Sequence, residues 1–289
     1  MGLKRTLRFV RRRFLFWRVG GSREHLQQYD ADIFIISYPK SGRTWLRLML
    51  GKYLSDLSGA EFSELLELYE LTSKRKQFPR IGVIHDGSSR DGKFQHRSQL
   101  KKSKRLYRNK QVIFLARDPR DVAVSYYFHC SRREKAGRWN LSDFLRDENF
   151  GLPKIIHFMN IWAKNRATPK KFLLVHYEKL LAAPAKELEK VIDFIGVKSD
   201  PALLEEAVAF GAFDNMRQME LQERFGSDRL RPGCATDPES FKTRRGKAGG
   251  YADYLTDNDL KYANDLMAKE LSPFFGYAVN EMPLAYALH

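Results

Sequence analysis

The stretch "DIFIISYPKSGRTWLRLML" (residues 32–50) decides the fold. Five mostly apolar residues, 33–37, run straight into Tyr38-Pro39-Lys40-Ser41-Gly42-Arg43-Thr44, and helical spacing begins near Thr44. This is a strand, a tight turn and a helix. Such a turn suits an anion, because the first N–H groups of a helix have no intrahelical partner and point outward. The nucleoside-triphosphate loop G-x-x-x-x-G-K-[ST] is absent. The lysine stands at the front of the turn, on the strand side, rather than at its end.

The same alternation continues along the chain. Residues 33–37, 81–85, 112–117 and 172–176 read as strands, and residues 44–57, 119–130, 153–167, 184–195, 201–210 and 257–270 as helices. Asp118 is placed to cap the helix that Pro119 opens. Strands separated by helices predict β-α-β units, hence a single α/β domain with a mainly parallel central sheet and helices on both faces. Ligands of such sheets bind at the carboxyl ends of the strands. Those ends carry Lys40, then His85 with Asp86, then Arg117 with Ser125 on the helix that follows, then His176 and Tyr177. Taken singly, each has a bland reading: a solvated lysine, a structural histidine, an arginine paired with Asp121 or Glu178, a helix-surface serine, a core Trp45. Their shared edge gives them weight together. Residues 224–251, rich in Gly, Pro, Ser and charge, read as a long loop, and loops of that length in a compact domain are usually functional or mobile.

The 289 residues are enough for a sizeable core, and 43% hydrophobic with 30% charged residues is ordinary for a globular protein. No internal repeat and no bilayer-length apolar run is present. Two distant cysteines, Cys130 and Cys234, lack metal-ligand spacing and fit a reducing, cytoplasmic setting. The formal charge of +16 implies an anionic ligand or surface without choosing one. Part of it is local. Residues 1–30 form a basic arm in which Leu3, Leu7, Val10, Phe14 and Trp17 fall on one helical stripe among arginines. Two readings stay open: a helix lying peripherally on anionic lipid, or a stripe packed on the domain of residues 31–289 or frayed into solvent.

The motifs themselves carry a resemblance. "YPKSGRTW" closely resembles the 5′-phosphosulfate loop of the sulfotransferases that use 3′-phosphoadenosine-5′-phosphosulfate (PAPS), a P-loop nucleoside-kinase-like fold. "ARDPRDVAVSYYFH" resembles their 3′-phosphate motif, "VHYEKLLAAP" their Tyr-Glu-Asp-Leu segment, and "FKTRRGKAGGYADYLT" their late Arg-Lys-Gly loop. The segments stand in family order from residue 38 to residue 256. The resemblance implies transfer of a sulfuryl group to an acceptor hydroxyl, with release of 3′,5′-ADP and no metal. It places Lys40 on the oxygen between phosphorus and sulfur, the backbone of Ser41, Gly42, Arg43 and Thr44 with the Thr44 hydroxyl on the 5′-phosphate, and Trp45 on the adenine with Tyr177 beside it. It puts Arg117 and Ser125 on the 3′-phosphate with Arg244, Arg245 and Gly246 closing over it, and makes His85 the base. Asp86 is left as a candidate for orienting His85 or the acceptor.

The chain also departs from the pattern. Arg43 replaces the loop's first threonine, Val83 a lysine two residues before the histidine, Tyr251 the late tryptophan, and Gly211-Ala212-Phe213 a Thr-Ser-Phe. A P-loop phosphotransferase, which needs a late-loop lysine and a Mg²⁺ carboxylate, and a non-catalytic protein binding anionic surfaces on this fold remain the alternatives. No basic-aromatic module for nucleic acid is present. Residues 55–78 and 131–149 are expected to shape the acceptor pocket, and the basic surface leans toward a polysaccharide or glycolipid acceptor.

Overall fold

Four runs of apolar and β-branched residues form β1 (Ile33–Ile36), β2 (Ile81–Ile84), β3 (Gln111–Ala116) and β4 (Lys171–His176). All pair in parallel in the order β2-β1-β3-β4, with Ile33 level with both Ile81 and Gln111, and Gln111 level with Lys171. The protein is seen here as a computed structural model that describes residues 27, 29–88, 95–135, 139–226 and 228–277; of the basic arm, 1–30, residues 1–26 and 28 lie outside them.

Side chains alternate across a strand, so each strand feeds two cores. Phe34, Ile36, Val112 and Phe114 pack with Phe158, Trp162 and Phe275 on one face, while Ile33, Ile35, Ile113 and Leu115 pack with Leu46, Leu50, Leu188 and Ile192 on the other. A sheet covered on both faces needs apolar residues at consecutive positions, which is why these strands read as unbroken runs. The covering helices are α1 (Arg43–Asp56), α2 (Leu68–Lys74), α3 (Pro119–Phe128), α4 (Leu141–Arg146), α5 (Leu152–Asn165), α6 (Tyr177–Ala182), α7 (Pro184–Phe194), α8 (Pro201–Phe210), α9 (Phe213–Leu221) and α10 (Asp257–Glu270). Their starts are chemically marked. Asp118 accepts the Arg120 N–H at 2.9 Å ahead of Pro119, Asp200 accepts the Ala202 N–H at 3.0 Å ahead of Pro201, and Thr256 accepts the Asp259 N–H at 3.2 Å.

The expected strands are all present, and the six expected helices match within about one turn. One boundary is corrected. The helix expected to reach residue 130 stops at Phe128 and widens into a π-helical turn, His129–Arg133. The region after α9 holds only short 3₁₀ turns, as the loop expected at 224–251 requires. Two buried carboxylates pin this loop down. Asp121 accepts the N–H groups of Gly249 (2.8 Å) and Tyr251 (3.0 Å). Glu220, fully buried, accepts the N–H groups of Lys242 (2.7 Å) and Thr243 (2.9 Å) and the Thr243 hydroxyl (2.6 Å). The chain leaves β1 toward β2 on one side and β3 toward β4 on the other, so the strand order reverses between β1 and β3 and opens a crevice at their carboxyl ends. Among the described residues, no helix is long and apolar enough to cross a membrane, and Cys130 and Cys234 are both free thiols.

Candidate active site

The turn after β1 is built around two left-handed residues. Lys40 sits at φ 71° and Gly42 at φ 90°. Only glycine fits the second place, because a Cβ there would stand 2.5 Å from the Tyr177 ring. Lys40 has no such excuse, and a non-glycine residue in this region costs about 1–3 kcal/mol. That strain buys position: Lys40 lines the cleft at the strand ends together with Gly42, Arg43, Thr44, Trp45, His85, Arg117, Ser125 and Tyr177. Arg244, Arg245 and Gly246 line the same cleft from the late loop. Ser41 differs. Its hydroxyl turns inward to donate to the Tyr38 carbonyl at 3.0 Å, so only its backbone faces the turn's outer side. Trp45 donates its indole N–H to the Gly211 carbonyl at 2.8 Å and meets Tyr177 edge to face at 5.8 Å, which makes an aromatic wall.

His85 follows β2, the neighbour of β1. Its Nδ1 lies 3.2 Å from the Ser37 carbonyl and its Nε2 2.5 Å from an Arg43 guanidinium nitrogen. A carbonyl only accepts and a guanidinium only donates, so these contacts assign the neutral tautomer, Nδ1–H with a lone pair on Nε2. Burial, then the Arg43 charge, hold the imidazole well below the usual histidine range. Asp86 does not orient it. The carboxylate is buried in the core, where it accepts from Lys104 Nζ and the Tyr107 hydroxyl, both at 2.5 Å, and from the Trp162 indole at 3.1 Å. Three donors occupy it, so the orienting role left open for Asp86 is withdrawn.

Arg117, at the end of β3, ties the cleft's parts together. Its guanidinium lies over the Tyr177 ring at 4.2 Å and donates to the Lys40 carbonyl (3.1 Å) and the Lys247 carbonyl (3.0 Å), with Asp121 at 3.6 Å. Arg244 bonds Glu239 (2.9 Å) and the Tyr254 hydroxyl (2.7 Å), and Arg245 bonds Asp253 (2.6 Å).

The cleft is strongly positive. Burial pushes the Lys40 ammonium down to about 8, and Arg133 adds to the fall, while Glu220 opposes it. Burial, then Arg133 and Lys40, drive Lys242 well down as well. The Nε atoms of Arg117 and Arg244 are buried without a hydrogen-bond partner among the described residues. Buried donors left over in a cation-rich cleft fit an anionic ligand.

Every residue expected at the site lines this cleft except Ser41. Among the described residues none of 55–78 and 131–149 lines this cleft, although the Arg133 charge acts on both Lys40 and Lys242. Gly211 at the end of α8, Phe213 and Met216 at the start of α9, and His129, Lys242 and Thr243 also line the cleft. His129 was legible in principle, since it lies four residues, one helical turn, beyond Ser125. Lys242 lies inside the late segment "FKTRRGKAGGYADYLT", but the resemblance singles out only Arg244, Arg245 and Gly246 there.

Comparison with known proteins fits this geometry. Residues 30–275 match the family profile "Sulfotransferase domain". A flavonol 3-sulfotransferase of Flaveria bidentis is 24% identical over 271 residues, covering 86% of this chain and 85% of its own. Sulfotransferase 1B1 of Mus musculus is 26% identical over 260 residues, with the same two coverages. The crystal structure of a mouse sulfotransferase complexed with PAP, 21% identical, superposes with a TM-score of 0.57 over 86% of this chain and 89% of that one, a likeness of fold. Matched in sequence from before β1 to beyond α10, the chain belongs to the sulfotransferase family.

Proposed function

We propose that this chain moves a sulfuryl group from PAPS to an acceptor hydroxyl, with Lys40 and His85 as its catalytic pair. The observation that carries the reading is that these two residues, on the ends of adjacent strands, line one cleft with Arg117 and Ser125. The donor supplies an activated sulfuryl group and a phosphate leaving group. The Lys40 ammonium would neutralise charge as it develops on that leaving group, which accelerates a step more than binding the ground state does. His85 Nε2 would take the acceptor's proton; the neutral tautomer suits a base. The N–H groups opening α1, with the Thr44 hydroxyl and Arg43, would hold the 5′ end. Arg117 and Ser125, under Arg244, Arg245 and Gly246, would hold the 3′-phosphate, and Trp45 and Tyr177 the adenine. Arg244 and Arg245 would need to leave Glu239 and Asp253 in part.

The acceptor belongs to the same proposal. Lys40, Arg43, Arg117, Arg244, Arg245 and Lys247 line the cleft against one lining carboxylate, Asp121, with Glu220 buried nearby. That excess of cations supports an acceptor that itself carries negative charge, such as an acidic polysaccharide or glycolipid, and the basic arm of residues 1–30 would bring the domain to a membrane-borne one.

Calorimetry tests the donor half. The protein should bind 3′,5′-ADP at least tenfold more tightly than 5′-AMP, because one lost charge-assisted phosphate contact is worth about that much, and binding should survive EDTA. Equal affinities, or an absolute need for Mg²⁺, would turn the reading toward a phosphotransferase. A panel of acidic glycans, neutral glycans and flavonols with labelled PAPS tests the acceptor half.

A further inference from the structure

The contact between Arg43 and His85 has a consequence for how the site is switched on. The Nε2 lone pair of His85 accepts an N–H of Arg43. The other ring nitrogen is committed to the Ser37 carbonyl. One lone pair cannot hold the guanidinium and also take a proton from an acceptor hydroxyl. In the arrangement seen here the base is therefore covered, by a residue that opens α1 at the very turn where an anion would sit. Arg43 and His85 both line the cleft, so the guanidinium has a route from the imidazole to a ligand there.

We propose that Arg43 is a donor-sensing positioning residue: it covers the Nε2 of His85 in the free protein and leaves it for the donor's 5′ anionic group when that group binds. The proposal rests on the sulfotransferase reading and adds an order to it. A bound anion offers Arg43 a full negative charge where His85 offers a neutral lone pair, so the contact with His85 gives way to the anion. The uncovered Nε2 then faces the acceptor. The donor binds first and the acceptor engages second. An acceptor hydroxyl arriving without the donor meets a blocked base, so the chain makes no unproductive acceptor complex at His85.

Diethyl pyrocarbonate, which acylates unprotonated imidazole nitrogens, reads this directly, with each histidine quantified by peptide mass spectrometry. Exposed His96 in the same digest is the reference. In the wild type without ligand, His85 should react about tenfold more slowly than in Arg43→Thr, the scale of losing one hydrogen bond to a charged group. Saturating 3′,5′-ADP should raise the wild-type rate at His85 relative to His96. It should leave the Arg43→Thr rate unchanged or lower, since nothing there remains to be displaced. Arg43→Lys, which keeps a charge on a flexible stem, should fall between the two. Equal His85 reactivity in wild type and Arg43→Thr would overturn the cover. No rise in the wild type, with calorimetry showing 3′,5′-ADP bound, would overturn the coupling while leaving the donor assignment intact. If 3′,5′-ADP does not bind at all, the sulfotransferase reading and the coupling fall together, and the comparison of unliganded proteins still decides whether Arg43 covers the base.

Discussion

Lys40 concentrates the site's chemistry in one side chain. The left-handed backbone aims it into the cleft, and burial pushes its ammonium down to about 8. The sign of the consequence follows. Below about 8 the free protein carries the charge; above it, the charge is lost and an anion meets a neutral amine. A bound anion favours the ammonium, so binding raises the pKa and draws in a proton near and above pH 8. Affinity for 3′,5′-ADP should therefore fall roughly tenfold from pH 7 to pH 9, with a binding enthalpy that depends on the buffer's ionisation heat at the higher pH. Lys40→Ala should flatten that dependence and, once an acceptor is known, cut turnover by roughly a hundredfold or more. His85 behaves oppositely. It is held neutral well below the usual histidine range, so turnover should show no acidic limb near 6.5. His85→Ala should abolish turnover and leave 3′,5′-ADP affinity unchanged or tighter, because the ligand then no longer competes with His85 for Arg43. Full turnover in His85→Ala would mean that another group is the base.

At the scale of elements, the late loop closes the site only because α3 and α9 hold it. Asp121 takes the Gly249 and Tyr251 N–H groups, and Glu220 takes those of Lys242 and Thr243. Asp121→Asn keeps the shape but turns one acceptor oxygen into a donor facing an N–H. Hydrogen exchange at Gly249 and Tyr251 should then speed by roughly tenfold or more, as expected for a lost bond to a charged group, with β1 and β3 unchanged. Unchanged exchange at both amides would mean the loop is held by something else. This clasp marks the limit of what the sequence discloses. The strands were legible because two-faced burial leaves continuous apolar runs, α3 and α8 because proline and an acidic cap mark their starts, and α7 because proline opens it. The helices α2, α4, α6 and α9, of 6 to 9 residues, were not, since so few turns show little periodicity. The site residues at strand ends were legible from topology and motif together. Glu220 and the occupied carboxylate of Asp86 were not, because long-range partners set their roles. Nor does an arginine in a threonine's place announce that it reaches a histidine 42 residues on.

Over the whole molecule, charge is arranged unevenly, and the arm is where its use beyond the cleft is decided. The chain carries a formal +16, and residues 4–18 contribute Lys4, Arg5, Arg8, Arg11, Arg12, Arg13 and Arg18 with no acid before Glu24. Basic residues near an anionic membrane contribute about 1 kcal/mol each, so the membrane reading of the arm predicts a reversible attachment. Such attachment is electrostatic and weakens as salt shortens the Debye length from about 30 Å at 0.01 M to about 10 Å at 0.1 M. The full chain should co-sediment with phosphatidylserine-containing vesicles at low salt and be released at high salt. A chain beginning at Ser22 should bind 3′,5′-ADP as the full chain does, since every cleft residue lies beyond it, and should no longer follow the vesicles. The two alternatives give different results. If the stripe Leu3, Leu7, Val10, Phe14, Trp17 packs on the domain, its removal exposes the surface beneath, and the shortened chain unfolds at lower temperature or aggregates. If the arm is a solvated tail, the full chain ignores vesicles even at low salt, and the remaining positive charge belongs to the cleft and to the acceptor it receives.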